Sequence, residues 1–277
     1  MKIKYVCPFW GCENDTIEVF IDKVLSSGYE GIEINLPEKG NFTNNFIAKI
    51  EDIINDRQGF KFIVQQLITP QNETVRDYIK KMNKNLVKLA ACRPFFINSH
   101  TGSDHYSFDD NCKVIDAALN VSSKTGVRIL HETHRGRFSF HAASLLPYLK
   151  KFPELELVGD FSHFCTVSES LLQGQEEILQ QIIPHIAHIH ARIGHEQGPQ
   201  VNDPFAPEWH DHLTCFKNWW QQIIDVKNRE GFSSITITPE FGPPPYMPVI
   251  PFTKQPIGNQ WQININMMNY LKKNIAV

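Results

Sequence analysis

The sequence predicts an α/β protein, a single (β/α)8 or TIM barrel that spans residues 1–277. The chain has 277 residues, of which 42% are hydrophobic, and barrels of this kind run to about 250 residues. Short apolar runs alternate with amphipathic helical stretches along the whole chain. Eight such units favour parallel strands with right-handed crossovers, closed into a barrel rather than arranged as an open, doubly wound sheet.

The eight predicted strands are short and rich in apolar or β-branched residues, and they cover 3–7, 31–36, 60–67, 94–100, 127–133, 155–160, 186–192 and 234–240. Helices are predicted between them at 16–27, 44–56, 73–91, 112–124, 141–151, 168–183, 209–227 and 259–273. Gly28, Gly59 and Gly126 follow helical stretches, where a left-handed C-terminal cap is expected. Two connections are longer, 193–208 and the proline-rich 241–258, and we expect both to lie over the C-terminal mouth of the barrel.

Composition excludes several classes of partner. The net charge is −3, with no basic stripe, so nucleic acid is not an expected partner. No apolar stretch reaches the roughly 18 residues of a membrane span, and the start of the chain lacks a signal peptide, which predicts no membrane partner and a cytoplasmic location. The six cysteines form no C-x-x-C pair, so we expect reduced thiols without chemistry.

The predicted strands five to eight each end in a residue that can bind a metal ion. Alternate residues of a strand face opposite sides, and the ionisable strand ends share the polar face of each strand: Glu132, Asp160, His190 and Glu240. Any one of them alone is more often a helix cap or a packing residue. Because barrel strands point the same way, however, all four converge on one mouth, where three carboxylates call for a divalent cation. This oxygen-rich set suits Mn²⁺, Mg²⁺ or Co²⁺, and Zn²⁺ tolerates it.

Five motifs resemble the sugar isomerases and epimerases of the xylose isomerase-like barrels, which include the ketose 3-epimerases, over nearly the whole chain. They are G-Y-E-G-I-E-I at 28–34, H-E-T-H at 131–134, D-F-S-H at 160–163, H-I-H-A-R at 188–192 and T-P-E-F-G at 238–242. In that family a Glu, an Asp, a His and a Glu on strands five to eight bind the metal. The resemblance therefore implies Glu132, Asp160, His190 and Glu240 as ligands.

The resemblance also implies substrate-binding residues. His163, three residues after Asp160, matches a substrate ligand of the family, and His190 is preferred to His188 as the metal ligand of strand seven, with His188 kept among the substrate contacts. The arginine with which ketose 3-epimerases hold their substrate is absent from its usual position, and Arg192 is the candidate to replace it. Three further candidates lie at predicted strand ends or beside them: Glu33, His100 and Trp10.

The activity that the resemblance implies is that of an isomerase, specifically a sugar isomerase or epimerase that uses one divalent metal ion, with Mn²⁺ favoured. Glu132 and Glu240 would be the catalytic bases, removing and returning a proton next to a carbonyl through an ene-diolate. The expected partner is a small-molecule sugar or sugar phosphate, and a homo-oligomer is possible. Two alternatives stay open: an endonuclease-IV-like phosphodiesterase, against which the charge balance argues, and a non-catalytic sugar-binding barrel.

Overall fold

The computed structural model describes residues 1–37 and 40–277. Its parallel strands are β1 Lys2–Tyr5, β2 Cys7–Pro8, β3 Gly31–Ile34, β4 Lys61–Gln66, β5 Phe96–Ser99, β6 Ile129–Glu132, β7 Leu157–Gly159, β8 Ile186–His190 and β9 Ser234–Thr238. Its α-helices are α1 Ile17–Ser26, α2 Gly40–Asp56, α3 Val75–Ala90, α4 Phe108–Thr125, α5 Ala142–Lys151, α6 Phe161–Ser168, α7 Glu176–Ile182, α8 His210–Arg229 and α9 Gln260–Asn274. The strands form a nearly closed (β/α)8 barrel, which confirms the predicted fold class.

The described chain has nine strands where eight were predicted, because the first predicted strand is divided at Val6. β1 pairs with β9, from Lys2 opposite Ser234 to Tyr5 opposite Ile237. β2 pairs instead with β3, with Cys7 opposite Ile32. The first predicted strand is therefore two short strands, each with its own neighbour.

Two compact units make up the chain. The first unit contains Met1–Tyr5, Thr133–Arg135 and Ser139–Val277, and the second unit contains Val6–Glu132 and Gly136–Phe138. In the first unit β8 lies between β7 and β9, and β9 pairs with β1. In the second unit β2, β3, β4, β5 and β6 follow one another in order.

In the second unit, local sequence determines where the helices begin and end. The Ser107 side chain accepts a hydrogen bond from the Asp110 amide and so caps α4, which satisfies one of the free N–H groups of the first turn. Thr74 caps α3 in the same way. Gly126 ends α4 with a φ of 70°, and Gly28 and Gly59 are also left-handed, as predicted from their positions after helical stretches.

In the first unit, the predicted helix 168–183 is wrong. The chain forms α6 directly after β7, and a second helix, α7, begins only at Glu176. Between them Glu169, Leu172 and Gly174 have positive φ angles, a conformation that no α-helix can continue through. The segment predicted as one amphipathic helix therefore contains the end of α6, a turn and the short helix α7.

Two predictions from composition can be compared with the structure. All six cysteines are free, and four of them are buried. Among the described residues, no helix is both long and apolar enough to cross a membrane.

Candidate metal centre and substrate site

Asp160 has its two carboxylate oxygens in different environments. It is fully buried, and its Oδ1 accepts hydrogen bonds from the amide of Ser162 at 3.0 Å and from the Ser162 hydroxyl at 2.5 Å, which caps α6. The Thr133 hydroxyl accepts a hydrogen bond from the Asp160 amide and fixes its backbone. The cap thus uses one oxygen, and Oδ2 points toward the other charged groups of the first unit.

His190 and Glu240 meet Asp160 at the ends of their strands. His190 Nδ1 lies 2.8 Å from Glu240 Oε2, and both side chains are buried. Asp160, His190 and Glu240 each offer one ligand atom, and these atoms lie within 4.8 Å of one another. The first unit therefore brings together three of the four residues that the sequence predicts as metal ligands.

His188 has both ring nitrogens engaged by the neighbouring strand. Its Nδ1 lies 2.6 Å from the Thr236 hydroxyl, and its Nε2 lies 3.0 Å from the Thr238 hydroxyl. This follows from the register, in which His188 is opposite Thr236 on β9. His188 is thus a buried, hydrogen-bonded residue of the same face as His190.

Arg192 neutralises the carboxylates of the first unit. It is only 1% exposed, and its guanidinium donates to Asp160 Oδ2 and lies 3.6 Å from Glu240 Oε2. It also donates to His163 Nε2 at 3.1 Å. Because a guanidinium can only donate, His163 Nε2 is the acceptor in this bond. Arg192, predicted as a substrate contact, thus joins two of the predicted metal ligands to His163.

In the second unit, Glu132 and Glu33 both accept a hydrogen bond from the same side-chain amide, that of Asn98. The buried Asn98 side chain donates to Glu33 Oε1 at 3.0 Å and to Glu132 Oε2 at 2.8 Å. Gln65 donates a further hydrogen bond to Glu33 Oε1 at 3.1 Å. Since each of these hydrogen bonds goes to a carboxylate, each is stronger than a neutral one and fixes the orientation of its acceptor.

His100 also forms a hydrogen bond with Glu132. Its Nε2 lies 3.1 Å from Glu132 Oε2, while Arg137 donates to its Nδ1 at 3.4 Å. Since Nδ1 accepts from an arginine, the proton of neutral His100 is on Nε2, where it is donated to Glu132. Trp10 is half-buried in the turn after β2.

Sequence reasoning missed several residues that support these groups. Asn98 has the same strand parity as His100, so a signal for it existed. Arg135 and Arg137 directly follow the H-E-T-H motif, which is also a signal. For Gln65 and for Tyr246, whose ring lies 4.8 Å from the Arg192 guanidinium carbon, the sequence contains no comparable signal.

Two amide side chains fix the backbone immediately after Glu240. Gln200 accepts from the Gly242 amide at 2.7 Å and donates to the Gly242 carbonyl at 3.1 Å. Asn264 of α9 forms the same pair of hydrogen bonds with Phe241, at 2.8 and 3.0 Å. Gln200 belongs to the long connection 193–208, and Gly242 belongs to the long connection 241–258. The first connection is therefore hydrogen-bonded to the start of the second.

Comparison with solved structures agrees with this architecture. The probable 3-DHS dehydratase AsbF of Bacillus anthracis, involved in petrobactin synthesis, superposes with a TM-score of 0.64 at 16% identity, over 97% of this chain and 98% of that chain. A xylose isomerase-like TIM barrel protein of Mycobacterium smegmatis, in complex with magnesium, gives a TM-score of 0.61 at 11% identity over 99% and 98%. The chain has the xylose isomerase-like TIM barrel fold.

The IolI protein, whose structure contains a bound zinc atom, shares this xylose isomerase-like fold with a TM-score of 0.64, at 15% identity over 99% of this chain and 100% of that chain. No protein-family model matches the sequence, and no curated protein matches it. The similarity to these proteins is therefore a similarity of fold. A proposal about function has to be argued from the residues of the site.

Proposed function

We propose that the protein is a divalent-metal-dependent isomerase or epimerase of a sugar or sugar phosphate. The observation that carries this proposal is the convergence of Asp160, His190 and Glu240, which are buried and each offer a ligand atom within 4.8 Å of the others. Two carboxylates with one imidazole form a set that binds divalent metals. The fold supports the proposal, since barrel enzymes have their active sites at the C-terminal ends of the strands.

Glu132 is the proposed fourth ligand. It is the last residue of β6, and Asp160 directly follows β7. Consecutive strands of a (β/α)8 barrel are parallel neighbours, so their C-terminal ends lie on the same side. The hydrogen bonds that Asn98 and His100 donate to Glu132 fix the orientation of its carboxylate, the form in which it would bind a metal.

His190 is proposed as the imidazole ligand in preference to His188. A ligating nitrogen must offer a lone pair to the metal. Both His188 nitrogens already contact threonine hydroxyls, whereas His190 lies beside Glu240. His188 then acts as a support that fixes the polar face of β8 and β9.

The donor set fits a hard divalent ion, and Mn²⁺ is the proposed one, because three carboxylates and one imidazole are mostly oxygen ligands. Such an ion, when bound, stabilises negative charge that develops on substrate oxygens. The two bases would be Glu132 and Glu240, which come from separate strands. One of them removes a proton from the carbon next to the carbonyl, and one returns a proton. Return to the opposite face is epimerisation, and return to the adjacent carbon is isomerisation.

The test is exchange of a carbon-bound substrate proton with deuterated solvent, followed by NMR over free and phosphorylated ketoses and aldoses. We expect exchange by the Mn²⁺-loaded protein, with about one metal ion bound per chain. Glu240→Gln should reduce exchange by at least about 1000-fold, since it removes a base and a ligand. Glu208→Gln, at an exposed residue, is the matched control and should retain full activity. Bound metal without exchange on any sugar would refute the proposal and leave a sugar-binding barrel.

The same experiment separates the competing functions. AsbF is described as a probable dehydratase, and a dehydratase would also exchange the proton but would form a product lighter by one water, which mass spectrometry detects. An endonuclease-IV-like enzyme would bind about three metal ions and cleave abasic DNA. Proton exchange without loss of water, at one metal ion per chain, is the result expected of an isomerase or epimerase.

A further inference from the structure

Arg135 carries a guanidinium close to the Tyr246 ring, which also contacts Arg192. Within residues 1–37 and 40–277 no carboxylate forms an ion pair with it, and it is only half-buried. Its guanidinium carbon lies 5.4 Å from the centroid of the Tyr246 ring. The preceding residue, His134, packs its ring 3.9 Å from that of His163. The backbone of Arg135 is therefore held next to a predicted substrate contact.

The Tyr246 ring connects Arg135 to the carboxylates of the first unit. Arg192, which is paired with Asp160 and lies 3.6 Å from Glu240, has its guanidinium carbon 4.8 Å from the same ring. Burial raises the pKa of Tyr246, the two arginines lower it, and Asp160 and Glu240 raise it. Tyr246 is thus a neutral ring close enough to both guanidiniums and both carboxylates to interact with their charges.

The charged side chains around Tyr246 are balanced before any ion or substrate is considered. The two positive charges, on Arg192 and Arg135, equal in number the two negative charges, on Asp160 and Glu240. Arg192 is already paired with Asp160 and buried, whereas among the described residues Arg135 forms no ion pair with a carboxylate. A partly desolvated positive charge of this kind attracts an anion.

We propose that the substrate carries an oxyanion, a carboxylate or a phosphate, and that Arg135 binds it. The proposal rests on the proposed function, because it names the class of substrate for the same site. A guanidinium stacked on an aromatic ring loses little mobility when it binds, and its fork of N–H groups matches both oxyanions in bidentate geometry. Arg192 acts as a positioning residue that holds Asp160, His163 and the Tyr246 ring in place.

The test compares binding of anionic and uncharged ligands by calorimetry on the Mn²⁺-loaded protein. The probes are five- and six-carbon uronates, which keep the sugar carbonyl, the corresponding sugar phosphates and the uncharged parent sugars. We expect wild type to bind one anionic class at least about 10-fold more tightly than the parent sugars, as expected of a hydrogen bond between charged groups. Comparison of the uronates with the phosphates shows which of the two oxyanions is bound.

Arg135→Gln should abolish this preference and leave binding of the uncharged sugars unchanged. Lys254→Gln is the matched control, since it removes an exposed positive charge from the same 241–258 segment as Tyr246 and should retain the preference. Tyr246→Leu should weaken anion binding, and Tyr246→Phe, which keeps the ring, should preserve it. Equal affinity for anionic and uncharged probes in wild type, or a preference that survives Arg135→Gln, overturns the inference.

Proton exchange keeps this result distinct from the proposed function. If uncharged sugars exchange their proton as well as anionic ones do, the isomerase or epimerase proposal stands and the anionic substrate is wrong. If anions bind through Arg135 and no sugar exchanges, the oxyanion site stands and the catalytic proposal fails.

Discussion

At the scale of single residues, Asn98 is the residue whose replacement is most informative. Its one amide nitrogen donates to both Glu33 and Glu132, and in the described part of the chain its buried Oδ1 has no hydrogen-bond partner. We expect Asn98→Leu, of similar size, to lower kcat/KM for proton exchange by about 10- to 150-fold, because the hydrogen bond that it removes from the Glu132 carboxylate is worth about 1.5–3 kcal/mol.

The control for Asn98→Leu is Gln65→Leu, which removes a hydrogen bond to Glu33 but none to Glu132. It should affect activity far less. The free energy of unfolding in urea should change less for Asn98→Leu than its activity implies, because the substitution also removes an unsatisfied buried oxygen. Equal losses of activity in the two variants would show that Asn98 does not act through Glu132.

Strand parity predicted which residues share a face, and it could not rank residues within that face. His188 and His190 have the same parity, and in the structure Thr236 and Thr238 contact both nitrogens of His188. That pairing depends on the register between β8 and β9, which a single sequence does not contain. For the same reason the ion pair of Arg192 with Asp160 was not predictable, although both residues were already candidates.

At the scale of elements, the alternation of strands and helices was predictable, and the position of α6 was not. Residues 161–168 are mostly buried, so they lack the polar face by which an amphipathic helix is recognised. The helix is instead determined by Asp160, whose side chain caps it. The sequence prediction treated N-capping and charge interactions of Asp160 as alternatives, but its two oxygens have different partners: Oδ1 caps α6, and Oδ2 accepts a hydrogen bond from Arg192.

The two hydrogen bonds between Gln200 and Gly242 lead to a prediction for the long loops. Gln200→Leu keeps the side-chain volume and removes two buried hydrogen bonds to the residue that follows Phe241. We expect a loss of about 1–3 kcal/mol in the free energy of unfolding. We also expect a lower kcat/KM, since the backbone after Glu240 is no longer held.

Gln197→Leu, at an exposed residue of the same 193–208 segment, is the control for Gln200→Leu and should match wild type in both measurements. Urea unfolding and the proton-exchange assay give the two readouts. If Gln200→Leu lowers stability and leaves kcat/KM unchanged, the Gln200 contact supports the fold alone and does not position Glu240.

At the scale of the whole molecule, the barrel follows from the order and number of its elements, and so the sequence predicted it. Composition predicted equally well that the cysteines would be free. The charge balance at the site was not predictable, because Arg135 and Tyr246 are far apart in sequence and meet only in the folded chain. The net charge of −3 therefore gives no information on the charge of the substrate.

Global stability should depend on pH through His131. This side chain is fully buried, and burial lowers its pKa from 6.5 to about 4. The unfolded chain therefore takes up a proton at a higher pH than the folded chain does. The stabilisation is fully present above a pH of about 6.5 and is lost as the pH falls toward about 4, by about 3 kcal/mol in total.

Replacement of His131 isolates this contribution. Urea unfolding of metal-free wild type between about pH 4 and 7.5 should show a free energy of unfolding that falls toward acid, and His131→Leu should flatten that fall by about 1.4 kcal/mol per pH unit. His105→Leu, which removes an exposed histidine, should leave the acid limb of wild type unchanged. Other groups also titrate in this range. The role of His131 is therefore tested by the difference in free energy of unfolding between wild type and His131→Leu. If that difference stays constant with pH, the folded chain binds the proton as readily as the unfolded chain, and His131 is not held neutral by burial.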